Sequence, residues 1–358
     1  MYDAVVVGLG VMGSGALHAM ARRGASVLGI EQFSLPHSRG SSHGHGRICR
    51  IAYPELQYSQ MALASWNLWE KFEEEAGMQV IVPTGGIDCG PKKSLAPIAA
   101  SLTAVGVDFE LIDAQEVHRR FPGVRLPDHF WAIHTRKAGI IQASKSLELL
   151  RLLARNHGAK IQDSCELVAM TEYPEHCELT IRDAKGIHTV ETKKLVLTPG
   201  SWLPNLLAHL GCPIKADVLK MGYLYFRAKD GSDVYDHRKM PVFIEYASDG
   251  PLHQDGHLYG TPNFEYEGLI KVGVHGDYPK ECGHFTTAED RTFDYAKGLL
   301  KHVQEGAQKI LPLVDPEPVL SETCLYTVTR DSHFILDIVP NHPRIVVGGG
   351  GSGPALQE

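Results

Sequence analysis

The chain has 358 residues, 43% apolar and 22% charged, the balance of a folded globular protein and not of a disordered one. Its formal charge of −7 and pI near 6.2 leave no basic footprint for nucleic acid, and no apolar run approaches the length of a membrane span. Seven scattered cysteines without a CxxC pair argue against a disulfide framework and a zinc site. A strand pattern begins almost at Met1 and leaves no room for a signal peptide, so an intracellular protein is expected.

The first thirty-one residues carry the densest signal. Residues 4–7 form a β-branched apolar run that stops at Gly8, the pattern of a buried parallel strand. Gly8, Gly10 and Gly13 follow in GxGxxG spacing. The first allows a tight turn, the second lets backbone approach a pyrophosphate, and the third lets the helix pack close to the strand. A helix is predicted to about Arg23, with Gly24 after it. A second strand, 26–30, closes with Glu31, where an acid can accept hydrogen bonds from a ribose hydroxyl. Strand, glycines, helix, strand and acid together make a dinucleotide-binding fingerprint. Glu31 would repel an adenosine 2′-phosphate, which disfavours NADP and leaves NAD and FAD.

From Gln32 to about Tyr53 the chain reads as a loop rich in Gly, Ser and His, with Arg39, Arg47 and Arg50 suited to anionic groups. Its GSSHG, 40–44, matches the GxSxG nucleophile elbow but has neither a strand before it nor a helix after it, so a hydrolase is set aside. His37, His43 and His45 lack a cysteine or carboxylate at ligand spacing, and no metal is read there. A helix is predicted over 58–76, its stripe of Met61, Leu63, Trp66, Trp69 and Phe72 facing the core and Gly77 stopping it. Residues 80–90 read as a strand pair around Thr84-Gly85-Gly86, followed by a helix over 95–105. Asp113 caps a short helix ending at Pro122, 130–135 is a strand, and Ser144 is expected to cap a helix over 145–156. Strands at 166–170, 178–182 and 189–192 lead to a buried strand at 194–198. Between about 214 and 325 the pattern is β-rich, interrupted by one helix with a capping box of Thr286 and Glu289, and reads as a second, antiparallel domain. Finally, a buried strand at 345–347 runs into four glycines, 348–351, backbone bare of side chains that suits close approach to a planar or phosphate ligand.

The fingerprint, LPHSRGSSHG with Arg47-Ile-Cys-Arg50 after it, GLIKVGVH (268–275), ETCLYT (322–327) and HFILDIVP (333–340) resemble together, over nearly the whole chain, the monomeric sarcosine oxidase, N-methyltryptophan oxidase and pipecolate oxidase family of FAD-dependent amine oxidases. The resemblance selects FAD over NAD. It implies an α/β fold with a Rossmann-like, glutathione-reductase-like FAD-binding domain from 1–80, 140–213 and 326–358. A second antiparallel-sheet substrate domain would come from 81–139 and 214–325. It also implies a thioether from Cys324 to the flavin 8α-methyl group. Ser42, His43, Arg47, Val168, Gly350, Gly351, Ser352 and Gly353 would join Gly8, Gly10, Gly13 and Glu31 in holding the cofactor. By the same resemblance Arg47 lies beside the flavin and Arg50 on the substrate carboxylate, a charge-assisted pair in a poorly hydrated pocket.

Lys271 interrupts an apolar run, 270–274, where a lysine is costly to bury without a role. It resembles the family lysine near flavin N5, whose charge stabilises superoxide as O₂ takes its first electron. His275, on the same strand face, resembles a pocket-lining histidine, as Tyr259 and Tyr326 resemble pocket-lining tyrosines. The implied reaction is oxidation of a secondary or N-methyl amino acid: a neutral amine gives its α-hydride to flavin N5, the imine hydrolyses, and O₂ is reduced to hydrogen peroxide. The expected partners are the amine and O₂, with no nucleic acid, membrane or metal. A cytoplasmic monomer is expected, or a peroxisomal one if the native C-terminus is longer.

The sequence departs from the family in two places. Gly46 stands where relatives carry threonine or serine, and the tail reads Pro354 and Gln357 where a histidine and a lysine are expected, then stops at Glu358 without a following helix. A truncated or variant flavoprotein with impaired turnover is therefore one alternative expectation. An NAD-dependent dehydrogenase is the other.

Overall fold

Strand Tyr2–Val7 is apolar on both faces, and that places it in the interior of a sheet covered on both sides. Val5 joins Leu28, Ile30, Leu195 and Leu197 in one core, while Ala4 and Val6 join Leu17, Ala21 and Ala154 in another. The structure, a computed structural model, describes residues 1–246, 257–275, 286–290 and 297–351. The central strands run parallel in the order Ile345–Gly349, Gly186–Leu197, Tyr2–Val7, Val27–Ile30 and Lys160–Gln162. Strands Glu166–Glu172 and Cys177–Asp183 continue the sheet as an antiparallel hairpin on the first half of Gly186–Leu197. The segments predicted at 189–192 and 194–198 are thus one twelve-residue strand. Helix Val11–Arg22 packs on helix Ala143–Asn156, which packs in turn on helix Leu56–Ala76.

Helix Leu56–Ala76 ends as its sequence requires: Gly77 takes φ 62°, and its N–H donates to the carbonyls of Glu73 and Glu74. Trp66 and Trp69 of the predicted stripe are buried, whereas Met61 is exposed. Helix Ala143–Asn156 starts earlier than expected, with Gln142 as its N-cap. The Ser144 hydroxyl does not cap it but donates to the Gly44 carbonyl at 3.0 Å, tying the glycine-rich loop to the helix. Asp113, in contrast, caps helix Ala114–Arg120 through a bond from the Glu116 N–H.

A second, eight-stranded sheet has the order Val314–Thr329, Ala216–Ala228, Leu269–His275, His257–Thr261, Val242–Glu245, Gly86–Gly90, Trp131–Thr135, Phe109–Asp113. It is antiparallel except where Val242–Glu245 runs alongside Gly86–Gly90. Tyr223, Phe226, Phe243, Val272 and Ile310 are buried in its core, and helix Lys297–Ile310 packs on it. A small third sheet joins Arg47–Arg50, Ala138–Ile141 and Ile81–Pro83.

Three expectations are corrected here. Residues 80–90 do not form a strand pair: Ile81–Pro83 pairs with Ala138–Ile141 in the small sheet, and Gly86–Gly90 pairs in the large one. The chain changes sheets at Gly85, whose φ of +71° turns it away. Thr286 and Glu289 lie in a turn and not at a helix start; Thr286 bonds Asp290, and Glu289 accepts from Trp202 Nε1. The stretch from Gln32 to Tyr53, expected to be loop throughout, contains strand Arg47–Arg50, which pairs with Ala138–Ile141. Among the described residues no helix is long and apolar enough to cross a membrane.

The fingerprint glycines make a checkable demand. A Cβ on Gly13 would lie 1.9 Å from the Gly8 carbonyl oxygen and 2.5 Å from Thr198 Oγ1. Overpacking of this kind costs about 1–3 kcal/mol. Gly13→Ala is expected to lower the thermal midpoint and the FAD content of purified protein together, whereas Gly15→Ala, with nothing within 4 Å of its Cβ, leaves both unchanged.

Candidate active site

The glycine turn closes one end of a cavity of about 380 Å³ whose lining includes Gly8, Gly10, Glu31, Ser42, His43 and Trp202. Helix Val11–Arg22 opens on it with Gly10 as N-cap and no side-chain cap, so its amides and dipole are turned to an incoming anion. Ser42 Oγ accepts from the Val11 N–H at 3.2 Å and sits 3.3 Å from where a Gly10 Cβ would be. Glu31 accepts from the N–H groups of Leu9 at 2.9 Å and Phe33 at 3.2 Å and lies 3.4 Å from His37 Nε2. Burial opposes ionisation, but His37 and the two amides outweigh it and hold the carboxyl below its ordinary range. A second cavity, about 770 Å³, is lined by Tyr266, Glu322 and Cys324 and shares Pro36, His37, Gly40 and His43 with the first. Between them the two cavities are lined by residues from the glycine turn to Cys324. Backbone amides at the glycine turn are the chemistry that a dinucleotide's pyrophosphate would need, and the residues that could hold one lie along these two cavities.

The large sheet supplies the chemistry. Lys271 pairs across strands with Tyr225 and Thr261, and Gly273 with Tyr223 and Tyr259. Tyr223 pairs with Glu322, Met221 with Cys324 and Leu219 with Tyr326. Cross-strand partners share a face and alternate residues return to it. Lys271, His275, Tyr259, Tyr223, Tyr225, Glu322, Cys324 and Tyr326 therefore project from one side of one sheet. The His275 and Tyr326 rings are 5.6 Å apart, and Tyr259 lies over Gly273, where an added Cβ would meet its hydroxyl at 2.5 Å.

Lys271 is 2% exposed. Its Nζ donates to the Gly46 carbonyl at 3.0 Å and to Glu265 Oε1 at 3.0 Å and stands 4.3 Å from the centre of the Tyr223 ring. Burial pulls the lysine below its ordinary pKa, Glu265 opposes that, and Arg47 adds to it. The Tyr225 hydroxyl lies 2.9 Å from Glu265 Oε2 and 3.2 Å from Glu322 Oε2, and the Tyr266 hydroxyl donates to Glu322 Oε1 at 2.6 Å. Cys324 is a buried free thiol pushed upward by burial, with Arg47 and Lys271 pulling the other way.

Arg47 enters from strand Arg47–Arg50, its guanidinium donating to the Gly46 and His43 carbonyls and standing 5.9 Å from the Tyr223 ring. The His43 side chain is held neutral: burial first, then Arg47, push it down to about 4. Arg50, three residues on, has different company. Its Nη1 bonds Asp88 Oδ1 at 2.8 Å, its guanidinium is 4.3 Å from the Tyr53 ring centre, and its buried Nε has no hydrogen-bond partner among the described residues. Burial raises the Asp88 carboxyl above its ordinary range, against the pull of Arg50.

The structure thus brings Lys271, His275, Tyr259, Tyr326, Cys324 and Arg47 around one sheet face and sets Gly8, Gly10, Glu31, Ser42 and His43 along the neighbouring cavity, with Gly13 packed behind the turn against Gly8 and Thr198. Gly350, with φ +76°, and Gly351, whose carbonyl accepts from the Thr327 N–H at 3.3 Å, end the described chain beside the long strand. Ser352 and Gly353, with Pro354, Gln357 and Glu358, lie outside the described residues. Val168 is 42% exposed at a bulge between Leu167 and Ala169. The cavity is lined by its neighbours Cys165, Glu166 and Leu167 instead.

Sequence reasoning passed over Glu265 and Asp88. Asp88 had a legible signal, a lone acid in the fully buried strand Gly86–Gly90. Glu265 had none, because it reaches Lys271 only through the turn that Asn263 Oδ1 closes on the Gly268 N–H. Among the described residues one further cluster, His18, Glu75 and His157, has metal-type donors within 4.8 Å of one another; its His157–Glu75 contact is a surface ion pair.

Residues 3–357 match the model of the family described as FAD dependent oxidoreductase. The chain is similar to a human protein named peroxisomal sarcosine oxidase, 33% identical over 99% of this chain and 88% of the relative. It is similar also to a monomeric sarcosine oxidase of Streptomyces avermitilis, 31% identical over 96% and 87%. In fold it matches the solved structure of NikD, named an unusual amino acid oxidase essential for nikkomycin biosynthesis, with a TM-score of 0.82 at 23% identity over 99% of this chain and 91% of that one. The NAD-dependent reading falls with these matches, since the cofactor of the matching family is FAD. With nearly the whole chain matched to that model and relatives above 30% identical over most of their length, the chain belongs to the FAD dependent oxidoreductase family, among the homologues of sarcosine oxidase.

Proposed function

We propose that this FAD-dependent amino-acid oxidase acts on a secondary or N-methyl amino acid of the sarcosine or pipecolate type, yielding the imine, with O₂ as the final electron acceptor and hydrogen peroxide as product. The observation that carries the reading is the single sheet face bearing Lys271, His275, Tyr259, Tyr326 and Cys324. The names of the human and S. avermitilis relatives support the substrate class, and the second name supports a monomer. We place the protein in the cytoplasm, or in peroxisomes as the human relative's name suggests.

Bound FAD supplies the two-electron oxidation of the substrate C–N bond and passes the electrons to O₂. The protein's part is binding, orientation and charge. Arg50 takes the substrate carboxylate, using donors that Asp88 leaves available, among them the buried Nε. His275, Tyr259 and Tyr326 wall the pocket and exclude water, which strengthens each electrostatic contact inside it. Burial keeps the Tyr259 hydroxyl protonated across the physiological range and leaves it a neutral donor. Lys271 presents a fixed positive charge to O₂ as that molecule takes its first electron. Cys324, a buried free thiol, would hold the cofactor through a thioether.

Three outcomes test this reading. If the flavin is covalent, acid-precipitated protein stays yellow and Cys324→Ala releases FAD to the supernatant; free FAD from the unmodified protein refutes the link. Lys271→Met is expected to slow the reaction of the reduced enzyme with O₂ by orders of magnitude, several times ~1.4 kcal/mol in barrier height, and to slow reduction by the amine far less. Equal losses in both half-reactions would assign Lys271 to substrate binding or to the fold. Arg50→Lys keeps a cation beside Asp88 but loses the planar fork, so steady-state kinetics on sarcosine should show KM raised about tenfold or more with kcat nearly unchanged.

A further inference from the structure

Lys271 does not stand alone. Its ammonium and the Glu265 carboxylate are 3.0 Å apart with side chains 3% and 2% exposed, and the carboxylate is held in turn by the Tyr225 hydroxyl at 2.9 Å. A second observation concerns the space that the carboxylate fills. A Cβ on Gly46 would come within 2.9 Å of Glu265 Oε1 and 2.8 Å of Ile140 Cγ2. The carbonyl of that same glycine is the other acceptor for Lys271 Nζ. Glycine at 46 therefore opens the slot through which Glu265 reaches the lysine.

We propose that Glu265 is a positioning residue for the oxygen reaction, holding Lys271 as a cation in one orientation against the Gly46 carbonyl, and that Gly46 is the residue that admits it. The proposal rests on the reading of Lys271 given above. A lone ammonium taken out of water loses its hydration and sheds its proton unless a carboxylate compensates it. The other groups facing Lys271 are Arg47 on the small sheet, His43 on the loop, Tyr223 and Tyr225 on one neighbouring strand, and Glu322 and Cys324 on the next. Arg47 works against a second cation, His43 is neutral, and the tyrosines and Cys324 carry no charge at neutral pH. Glu322 is engaged by Tyr225 and Tyr266. Glu265 is thus the carboxylate in direct contact with the ammonium among the described residues.

The sign of the pH effect follows. Without Glu265 the pKa of Lys271 falls further; the cation survives at acid pH and is lost as pH rises through the lowered value. The test uses holoenzyme of the unmodified chain, Glu265→Gln, Glu265→Asp, Lys271→Met and the double variant Lys271→Met/Glu265→Gln. Glu265→Gln should react with O₂ in the reduced state at least about tenfold more slowly at the alkaline end of the stable pH range and recover as the pH is lowered, its loss beginning at lower pH than in the unmodified enzyme. Glu265→Asp should retain most of the rate, and the double variant should be no slower than Lys271→Met. The midpoint potential of the bound FAD gives a readout independent of turnover. Relative to the unmodified enzyme it should be higher in Glu265→Gln at acid pH, where the lysine charge is uncompensated, and lower at alkaline pH, where that charge is gone. A rate and potential unchanged at every pH in Glu265→Gln, with Lys271→Met still slow, would overturn the role of Glu265 alone. A normal O₂ reaction in Lys271→Met would overturn the reading of Lys271 itself. Should Glu265→Gln not fold, Gly46→Ser, which crowds the carboxylate from the opposite side, is expected to give the same pH-dependent loss. A pH-independent profile there counts against the proposal.

Discussion

The backbone at Gly13 approaches the carbonyl of Gly8 more closely than any side chain would permit, and much of the cofactor side of the molecule depends on that contact. It seats helix Val11–Arg22 directly over the end of strand Tyr2–Val7, where the Thr198 hydroxyl bonds the carbonyls of both Val7 and Gly8. The neighbouring strands Gly186–Leu197 and Val27–Ile30 then end level with it. Three chain turns converge there, and the helix terminus, whose first amide is held by Ser42, faces the cavity between them. An anion placed at that point meets donors fixed by the fold and needs little rearrangement to be bound.

On the other side the organising fact is charge compensation. Arg47, Lys271, Glu265 and Glu322 are gathered around Tyr223 and Tyr225, and Arg50 forms a separate pair with Asp88. Buried pairs of this kind contribute little net stability compared with apolar packing, and breaking one by removing a single partner is costly. Their value lies in position. Arg47 and Lys271 are pinned by backbone carbonyls and, for Lys271, by Glu265, and the glutamates by tyrosine hydroxyls, so the field in the pocket is set before any substrate arrives, the condition under which electrostatics lowers a barrier most.

How much of this was legible in the sequence depended on the range of the interaction concerned. The fingerprint was readable because strand, turn and helix are local, and each glycine answers to a contact within a few residues or at one strand end. The Lys271 strand was readable because a charge in an apolar run signals itself. The fate of residues 80–90 was not, because a β run says nothing about which sheet it joins; that was decided by Gly139, where a Cβ would strike the Val82 carbonyl at 2.2 Å and which therefore lets Ile81–Pro83 approach. The pattern at Thr286 and Glu289 had the right spacing for a helix start, yet tertiary partners, Asp290 and Trp202, took both side chains. Glu265 lay beyond reach because six residues and a turn separate it from the lysine that it meets.

Strand Val314–Thr329 is sixteen residues long and belongs to the large sheet along its length. Its last turns of pleat touch the other half of the molecule: the Thr327 N–H reaches the Gly351 carbonyl, and its hydroxyl reaches Ser201 at 3.2 Å. Glu322, Cys324 and Tyr326 lie just before Thr327, on the stretch that pairs with residues 219–223. A strand laddered to its neighbour along its length moves only with that sheet. The three side chains therefore keep one spacing along the pocket face, and Thr327 ties that spacing to the glycine end of the other sheet.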